Sequence, residues 1–282
     1  MPRPFDPVAA LPLDEQRGQT YVRLVELMQR LLAPDGCPWD REQSYESLRR
    51  YVLEEAAEVV DAIDRGDRDE LRDELGDLLL QAVFLGELAR REGVFGPDDV
   101  VKAIVDKLVR RHPHVFGDAS VDASSEVLEN WERIKAAERK ASGKEDRGVL
   151  GGIPRSLPAL VRAQRLGEKA TSVGFDWSDA VGPRAKLDEE LAELDEALAG
   201  ADPDRIEAEL GDVLFALVNV ARHAKVDAEA ALRRVNASFV ERFEHVERQV
   251  KERHGGFDGE RVPLEQLEEY WREAKRRQRE GG

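Results

Sequence analysis

Apolar residues recur at steps of three and four along most of the chain, which is the spacing that places them on one face of an α-helix. The first such stripe comprises Leu24, Leu27, Met28 and Leu31. No segment of useful length alternates apolar and polar residues as a half-buried strand does. The pattern therefore predicts an all-α fold built from amphipathic helices.

A short break divides two apolar stripes in the first half of the chain, at residues 52–63 and 71–79. Gly66 is predicted to end the first helix, because glycine readily adopts the left-handed conformation that follows many helices. Asp67 is predicted to cap the second helix, and Glu70 three residues later completes the pattern of a capping box. A connection this short makes the two helices antiparallel neighbours.

The second half repeats this plan, with stripes at residues 187–198 and 210–217. Gly200 is predicted to end one helix, and Asp202 with Pro203 to begin the next, because they supply a cap and a first-turn proline. The chain of 282 residues is long enough for two cores. We therefore predict two tandem small helical-bundle domains, at residues 14–141 and 156–280, joined by a polar, glycine-rich linker at residues 142–155.

Four carboxylates of the first helix pair recur in the second, each 135 positions later: Glu55, Glu58, Glu74 and Asp77 return as Glu190, Glu193, Glu209 and Asp212. Residues three apart on a helix share a face, so the two acidic pairs of each half can meet across the groove between antiparallel helices. Oxygen-only ligands suit a hard cation, chiefly Mg²⁺ with Mn²⁺ as a substitute. The spacing therefore predicts one metal site in each half.

The alternative interpretation is a solvated acidic surface, since the chain has 59 acidic residues. Nothing would keep the acids of such a surface at the same spacing 135 residues later, whereas duplication of a metal site would. A di-iron bundle would need Glu-x-x-His on its helices, and aspartate stands in that place here. Gly76 and Gly211, each inside an acidic pair, are costly in a helix and suggest a close approach that a side chain would block.

The net charge of −16 argues against general affinity for nucleic acid or for anionic membranes. Cys37 is the only cysteine, so no intrachain disulfide can form, which fits a reducing compartment. No run approaches the roughly 20 apolar residues of a spanning helix, and the first ten residues lack a signal-peptide pattern. A cytoplasmic protein is expected.

Basic residues that could contact phosphate occur after the first helix pair. Lys107 and Arg111 lie one helical turn apart, so both can reach a ligand from one face. An exposed basic turn is the alternative. His112 and His114 flank Pro113 and suggest a metal site, but they are predicted instead to mark the end of a helix.

Several motifs, together with the duplicated acidic pattern, resemble one known family, the MazG-type nucleoside triphosphate pyrophosphohydrolases. They are CPWDREQ at 37–43, RRHPHVF at 110–116, GGIP at 151–154 and GFDW at 174–177, and the resemblance extends from about Arg17 to Lys275. It implies the all-α NTP pyrophosphatase fold, a homodimer, and Mg²⁺-dependent hydrolysis of nucleoside triphosphates to monophosphate and pyrophosphate. It also implies broad, house-cleaning specificity.

The resemblance assigns roles by position. All eight repeated carboxylates become metal ligands. From the chemistry alone, either the metal acidifies the attacking water or one carboxylate accepts its proton as general base, and Glu58 and Glu193 are the first candidates for that base. The implied substrate-binding residues are Lys107, Arg111, Trp131 and Lys135 in the first half, and Arg205, Arg242, Trp271 and Lys275 in the second. Ser238 stands where the first half has Lys107, whereas Arg205 stands where it has Glu70, so the two halves are not ranked.

Two other functions are weighed. One is a hydrolase of the same superfamily that is narrowed to a single deoxynucleotide. The other is a non-catalytic helical interaction module that has lost turnover. Retention of all eight acids favours an enzyme.

Overall fold

The computed structural model describes residues 12–117, 134, 138, 148–259 and 261–280. The regular elements in this part of the chain are helices, without a strand, so the predicted all-α class is confirmed. The chain divides into two compact units, residues 1–138 and 139–282, which we call unit 1 and unit 2. No described helix combines the length and apolar content needed to span a membrane.

Unit 1 begins with a 3₁₀ turn at Leu13–Glu15. Its helices are α1 (Gln19–Leu32), α2 (Pro38–Arg41), α3 (Tyr45–Arg65), α4 (Arg68–Arg91), α5 (Pro97–Arg111) and α6 (Pro113–Phe116). Helices α3 and α4 pack along each other, and α1 packs against α4. Their buried side chains form one core that includes Met28, Leu48 and Phe84.

Unit 2 contains α7 (Ala159–Thr171), α8 (Val181–Gly200), α9 (Pro203–His223), α10 (Ala228–His254) and α11 (Leu264–Glu280). Helices α8 and α9 pack along each other, as do α10 and α11. A core of Val246, Val250, Val262 and Tyr270 joins the last two helices. Residues 148–155, the described part of the predicted linker, contain turns but no helix.

The connection between α3 and α4 consists of two residues. Gly66 has a φ of 72°, in the left-handed region, as predicted for a helix end. The Asp67 carboxylate accepts hydrogen bonds from the backbone N–H groups of Asp69 and Glu70, both at 3.0 Å, so the predicted cap is confirmed. The prediction of a full capping box is wrong in one respect. The Glu70 carboxylate pairs with Arg65 at 2.5 Å instead of binding the backbone N–H of the cap residue Asp67.

The connection between α8 and α9 keeps the same length. Asp202 caps α9 and Pro203 begins it, as predicted. The helix end differs by one residue, because Gly200 is still helical and Ala201 adopts the left-handed conformation, with a φ of 52°. Ala201 lies 135 positions after Gly66, so the backbone of the turn is repeated although the residue type is not.

Candidate functional site

Each helix pair brings three carboxylates together. Glu55, Glu58 and Glu74 form what we call acidic cluster 1, and Glu190, Glu193 and Glu209 form acidic cluster 2. In each cluster, one oxygen from each carboxylate lies within 4.8 Å of one oxygen from each of the others. The first two members come from α3 or α8, and the third comes from α4 or α9. The predicted fourth members, Asp77 and Asp212, are exposed and lie outside these sets.

Negative charge accumulates in acidic cluster 1. The pKa of Glu55 is raised, first by burial and then by the charges of Asp77 and Glu58. The pKa of Glu74 is raised by burial and by Glu58 and Asp77. Asp77 therefore lies near enough to contribute to the field, and a cation in the cluster would relieve this repulsion.

Gln81 also contacts acidic cluster 1, although it is not among the predicted site residues. This nearly buried side chain donates a hydrogen bond through Nε2 to Oε1 of Glu55, at 3.4 Å. It lies one helical turn after Asp77 on α4, and that spacing is the signal that could have identified it. The contact helps to hold the Glu55 carboxylate in place.

Acidic cluster 2 differs because two cations contact it. The Lys186 Nζ lies 2.7 Å from Oε1 of Glu190, and the Arg205 Nε lies 3.6 Å from Oε1 of Glu209. Lys186 is not among the predicted site residues, although it lies one turn before Glu190. The pKa of Glu193 is raised by burial and by the charges of Glu190 and Glu209.

The donor atoms of both clusters are carboxylate oxygens, without histidine or cysteine. This donor set fits a hard divalent cation, which prefers oxygen ligands. Among the described residues, these are the two groups in which three or more metal-ligating side chains converge. The prediction that helix glycines nearby permit a close approach is wrong for the part of the chain that the structure describes, because a Cβ at Gly76 or Gly211 would meet none of its heavy atoms within 4 Å.

The residues of unit 1 that are predicted to contact phosphate differ in their exposure and in their partners. Lys107 is exposed on α5. Arg111 is paired, with Nη2 at 2.6 Å from Oε2 of Glu138. Hydrogen bonds from Arg111 and Arg110 lower the pKa of Glu138 to about 2. Trp131 and Lys135 lie outside the described residues.

Of the two histidines after α5, His112 is placed as predicted and His114 is not. His112 is the C-cap residue of α5, and its Nδ1 lies 2.6 Å from the carbonyl oxygen of Leu108. His114 belongs to the short helix α6 that follows. Neither histidine belongs to either acidic cluster.

Unit 2 brings two of its predicted substrate-binding residues together. The Arg242 guanidinium lies over the Trp271 ring, 5.8 Å from its centroid, while its Nε donates to Gln278 at 2.8 Å. Lys275 is exposed one turn after Trp271 on α11. Arg242 also lines a cavity of about 300 Å³ that contains two further arginines, Arg248 and Arg277. This surface therefore offers several cations beside an aromatic ring.

Comparison with known proteins identifies relatives along most of the chain. A nucleoside triphosphate pyrophosphohydrolase of Escherichia coli (strain K12) is 48% identical over 262 residues, covering 91% of this chain and 97% of that protein. A nucleoside triphosphate pyrophosphohydrolase/pyrophosphatase MazG of Thermotoga maritima is 44% identical over 261 residues, covering 93% of this chain and 98% of that protein. The solved structure of a MazG-related protein from Thermotoga maritima has 28% identity, covers 41% of this chain and 98% of that chain, and has a TM-score of 0.36.

The family model for the MazG nucleotide pyrophosphohydrolase domain matches twice, at residues 43–116 and 183–251. Each match contains one helix pair with its acidic cluster. The resemblance found in the sequence motifs is thereby confirmed. The chain is an enzyme of the MazG nucleotide pyrophosphohydrolase family and carries the family's domain twice.

Proposed function

We propose that this chain hydrolyses nucleoside triphosphates to nucleoside monophosphates and pyrophosphate, with Mg²⁺ as cofactor and with broad specificity. The observation that carries the proposal is the convergence of three carboxylates in each of two helix pairs. A triphosphate is itself strongly anionic, so it can approach such a cluster only if a cation lies between them. The relatives named above act as nucleoside triphosphate pyrophosphohydrolases, which supports the same substrate class here.

The residues that would hold Mg²⁺ are the members of the two acidic clusters, with Asp77 and Asp212 completing the sets predicted from the sequence. When bound, the cation supplies positive charge against the phosphoryl oxygens and acidifies water. Mg²⁺ commonly binds through few carboxylates together with substrate phosphates, so three or four carboxylates are sufficient. Mn²⁺ accepts the same oxygen ligands and is the expected substitute.

The reaction requires attack at the α-phosphorus. The oxygen of a water molecule bonds to this phosphorus, the bond to the oxygen bridging the α and β positions breaks, and pyrophosphate leaves with the electron pair. Glu58 and Glu193 are the most exposed members of their clusters, whereas the other members are partly or fully buried. Water reaches them most easily, so we assign them as the general bases that accept its proton.

Basic residues of each unit would bind the phosphates that the metal does not neutralise. In unit 2, Arg205 is already placed beside Glu209, and Arg242 lies beside Trp271. In unit 1, Lys107 and Arg111 share one face of α5. These groups and the metal bind the phosphates, which all nucleoside triphosphates have in common, and this supports broad specificity.

We also propose a cytoplasmic homodimer. Helix α5 leaves an apolar stripe exposed, formed by Val101, Ile104, Val105 and Leu108. An exposed patch of this kind commonly marks an interface, and most oligomers of soluble proteins are homodimers. The Ile104→Lys variant should therefore shift the mass measured by light scattering from dimer toward monomer. The single cysteine and the net charge of −16 support a reducing, cytoplasmic location.

Product analysis tests the proposed reaction. The wild type, Glu74→Ala, Glu209→Ala and the double variant are incubated with Mg²⁺ and a panel of ribonucleoside and deoxynucleoside triphosphates. We expect pyrophosphate and monophosphate from wild type and no turnover by the double variant. The single variants show which unit is active, and release of diphosphate and orthophosphate would contradict the proposal.

The same panel distinguishes the two other functions. Turnover confined to one deoxynucleotide would replace broad specificity with a narrow hydrolase. A helical interaction module would show no turnover, and its Mg²⁺ binding by calorimetry would be the same in the double variant as in wild type. Glu92→Ala, which removes the exposed carboxylate of the residue that follows α4, serves as the matched control and should retain full activity.

A further inference from the structure

The side chain of Gln278, on α11, bridges two neighbouring residues of α10. Its Oε1 accepts a hydrogen bond from Nε of Arg242 at 2.8 Å, and its Nε2 donates to Oε2 of Glu241 at 2.9 Å. Turning the amide over would point its N–H groups at a guanidinium, which only donates, and its oxygen at a carboxylate, which only accepts. The orientation of the Gln278 amide is therefore fixed by its two partners.

Arg242 is held at one nitrogen and remains available at the others. Its Nε is bonded to Gln278, and its guanidinium carbon lies 5.8 Å from the centroid of the Trp271 ring. Within the part of the chain that the structure describes, no carboxylate pairs with Arg242. Its two terminal nitrogens can therefore donate to phosphate oxygens, which a planar guanidinium binds in pairs. Arg242 and Gln278 line the same cavity of about 300 Å³, which gives an anion room to approach.

Unit 1 carries a carboxylate at the position of this amide. Glu138 follows Trp131 by seven residues along the chain, and Gln278 follows Trp271 by the same number. The two residues are therefore counterparts in the duplicated domains. They have nearly the same size and differ by one negative charge.

The carboxylate of unit 1 binds two arginines. Nη2 of Arg111 lies 2.6 Å from Oε2 of Glu138, and Nε of Arg110 lies 2.8 Å from Oε1. Arg110 and Arg111 stand where unit 2 has Glu241 and Arg242. The arginine common to both units is thus paired with an anion in unit 1 and with a neutral amide in unit 2.

This difference changes how readily the arginine can bind phosphate. A carboxylate forms charge-assisted hydrogen bonds, roughly twice as strong as neutral ones, so it orients the guanidinium but also competes with phosphate for it. An amide oxygen accepts a weaker hydrogen bond and adds no negative charge, so it orients the guanidinium without that competition. Because Gln278 also binds Glu241, the carboxylate next to Arg242 in the sequence has a partner of its own.

We propose that Gln278 is a positioning residue for the triphosphate site of unit 2, because it holds Arg242 beside the Trp271 ring without neutralising its charge. The proposal rests on the proposed function, since it takes the ligand of Arg242 to be a nucleoside triphosphate. It gives a role to a residue outside the site predicted from the sequence. Unit 2 then presents its arginine directly to phosphate, whereas in unit 1 phosphate must first displace Glu138.

Binding of α,β-methylene ATP, which resists cleavage at the α-phosphorus, tests the proposal by calorimetry on the full chain in Mg²⁺. The parent is Glu74→Ala, in which acidic cluster 1 is impaired. Gln278→Glu should weaken binding about fivefold to tenfold, because the new carboxylate pairs with Arg242. Gln278→Met, which removes both hydrogen bonds at similar size, should weaken it about threefold. The KM for ATP should rise by the same factors with kcat unchanged, as expected when only binding is altered.

A charge-neutral exchange separates direct pairing from net charge. The double variant Glu241→Gln/Gln278→Glu has the net charge of its parent but still places a carboxylate against Arg242, so binding of the analogue should stay weakened. Gln266→Glu makes the same charge change about three turns earlier on α11 and is the matched control, which should leave the dissociation constant unchanged. Recovery of parental affinity in the exchange variant, or equal weakening by Gln266→Glu, would assign the effect to net charge and overturn the proposal.

A double-mutant cycle tests whether Gln278 acts through Arg242. In the Arg242→Gln background, Gln278→Met should cause no further loss of affinity, and urea unfolding should give every variant the stability of its parent. An equal loss in both backgrounds, or unchanged affinity in Gln278→Glu, would overturn the proposal, as would a parent protein that does not bind the analogue. Failure of the proposed reaction would appear separately, as absence of pyrophosphate release by wild type.

Discussion

The ammonium group of Lys186 lies 2.7 Å from a carboxylate oxygen of Glu190, which is the most buried member of acidic cluster 2. The residue 135 positions earlier is Tyr51, which carries no charge beside Glu55. The two acidic clusters therefore share their carboxylates but differ in the cations around them. This difference should appear in how strongly each cluster binds a metal ion.

We expect Lys186→Met to raise the Mg²⁺ affinity of acidic cluster 2. A cation within hydrogen-bond distance of Glu190 opposes a second cation, so we expect its removal to raise the Mg²⁺ affinity roughly fivefold. Calorimetric titration with Mg²⁺ in the Glu74→Ala background measures it. Lys275→Met, which removes an exposed lysine from α11, should leave the affinity unchanged, and a loss of affinity in Lys186→Met would contradict the prediction.

Glu138→Gln should strengthen triphosphate binding to unit 1. Arg111 is paired with Glu138, and neutralising this carboxylate leaves the guanidinium available to phosphate. We expect the KM measured in the Glu209→Ala background to fall about threefold to tenfold, which corresponds to the net contribution of one typical hydrogen bond. Asp106→Asn removes a carboxylate paired with Lys102 on α5 and should not lower the KM. A higher KM in Glu138→Gln would show that the pair positions Arg111 for substrate.

Ala201→Gly should stabilise unit 2 by about 0.5 to 1 kcal/mol. Ala201 has a φ of 52°, which costs alanine free energy that glycine does not incur, partly offset by the greater freedom of glycine in the unfolded chain. Urea unfolding followed by circular dichroism measures the change. Gly66→Ala is the reverse substitution at the corresponding turn and should destabilise the protein, so shifts of equal sign would contradict the explanation.

Asp176→Asn should destabilise the protein by about 2 kcal/mol at neutral pH, because it leaves Arg222 without its charged partner. Hydrogen bonds from the Arg222 guanidinium are the largest of several effects that hold the pKa of Asp176 well below its ordinary value of 3.8. A carboxyl group whose pKa is lower in the folded than in the unfolded protein stabilises the fold at pH values above its unfolded pKa. This stabilisation is lost as the pH falls through its folded pKa. The difference between wild type and variant should therefore shrink as the pH falls below about 4.

The control for this prediction is Asp35→Asn, which neutralises an exposed carboxylate paired with Arg30 at 2.7 Å. A surface pair of this kind contributes at most about 1 kcal/mol. Denaturant unfolding at several pH values gives both differences. A loss in Asp176→Asn no larger than that in Asp35→Asn would show that the Asp176 pair contributes no more than a surface pair.

The helices and the acidic clusters could be predicted because their signals are periodic and local. The apolar steps of three and four give α3, α4, α8 and α9, and the same helical spacing brings Glu55 beside Glu58. The repeat at 135 residues adds a second, independent copy of the evidence. Lys186 and Gln81 obey the same spacing, but a lysine or glutamine one turn from an acid is common and carries little information by itself.

Contacts between distant residues could not be predicted. Arg222 binds Asp176 across 46 positions, and Arg111 binds Glu138 across 27, without any period that links the partners. The left-handed residue at the end of α8 was predicted at Gly200 and is found one residue later, at Ala201. The length of the connection, not glycine itself, determines which residue takes this conformation. The interpretation of Gly76 as a packing glycine is wrong because its neighbourhood within the described chain is open.

The two-residue connections between α3 and α4 and between α8 and α9 also limit how these domains can change in length. Gly66 and Asp67, like Ala201 and Asp202, leave no slack between one helix and the next. One residue added inside the first turn of α4 would rotate everything after it by about 100°, which would carry Glu74 out of the groove. Variation in length among natural sequences should therefore accumulate elsewhere, while these turns vary in residue type only.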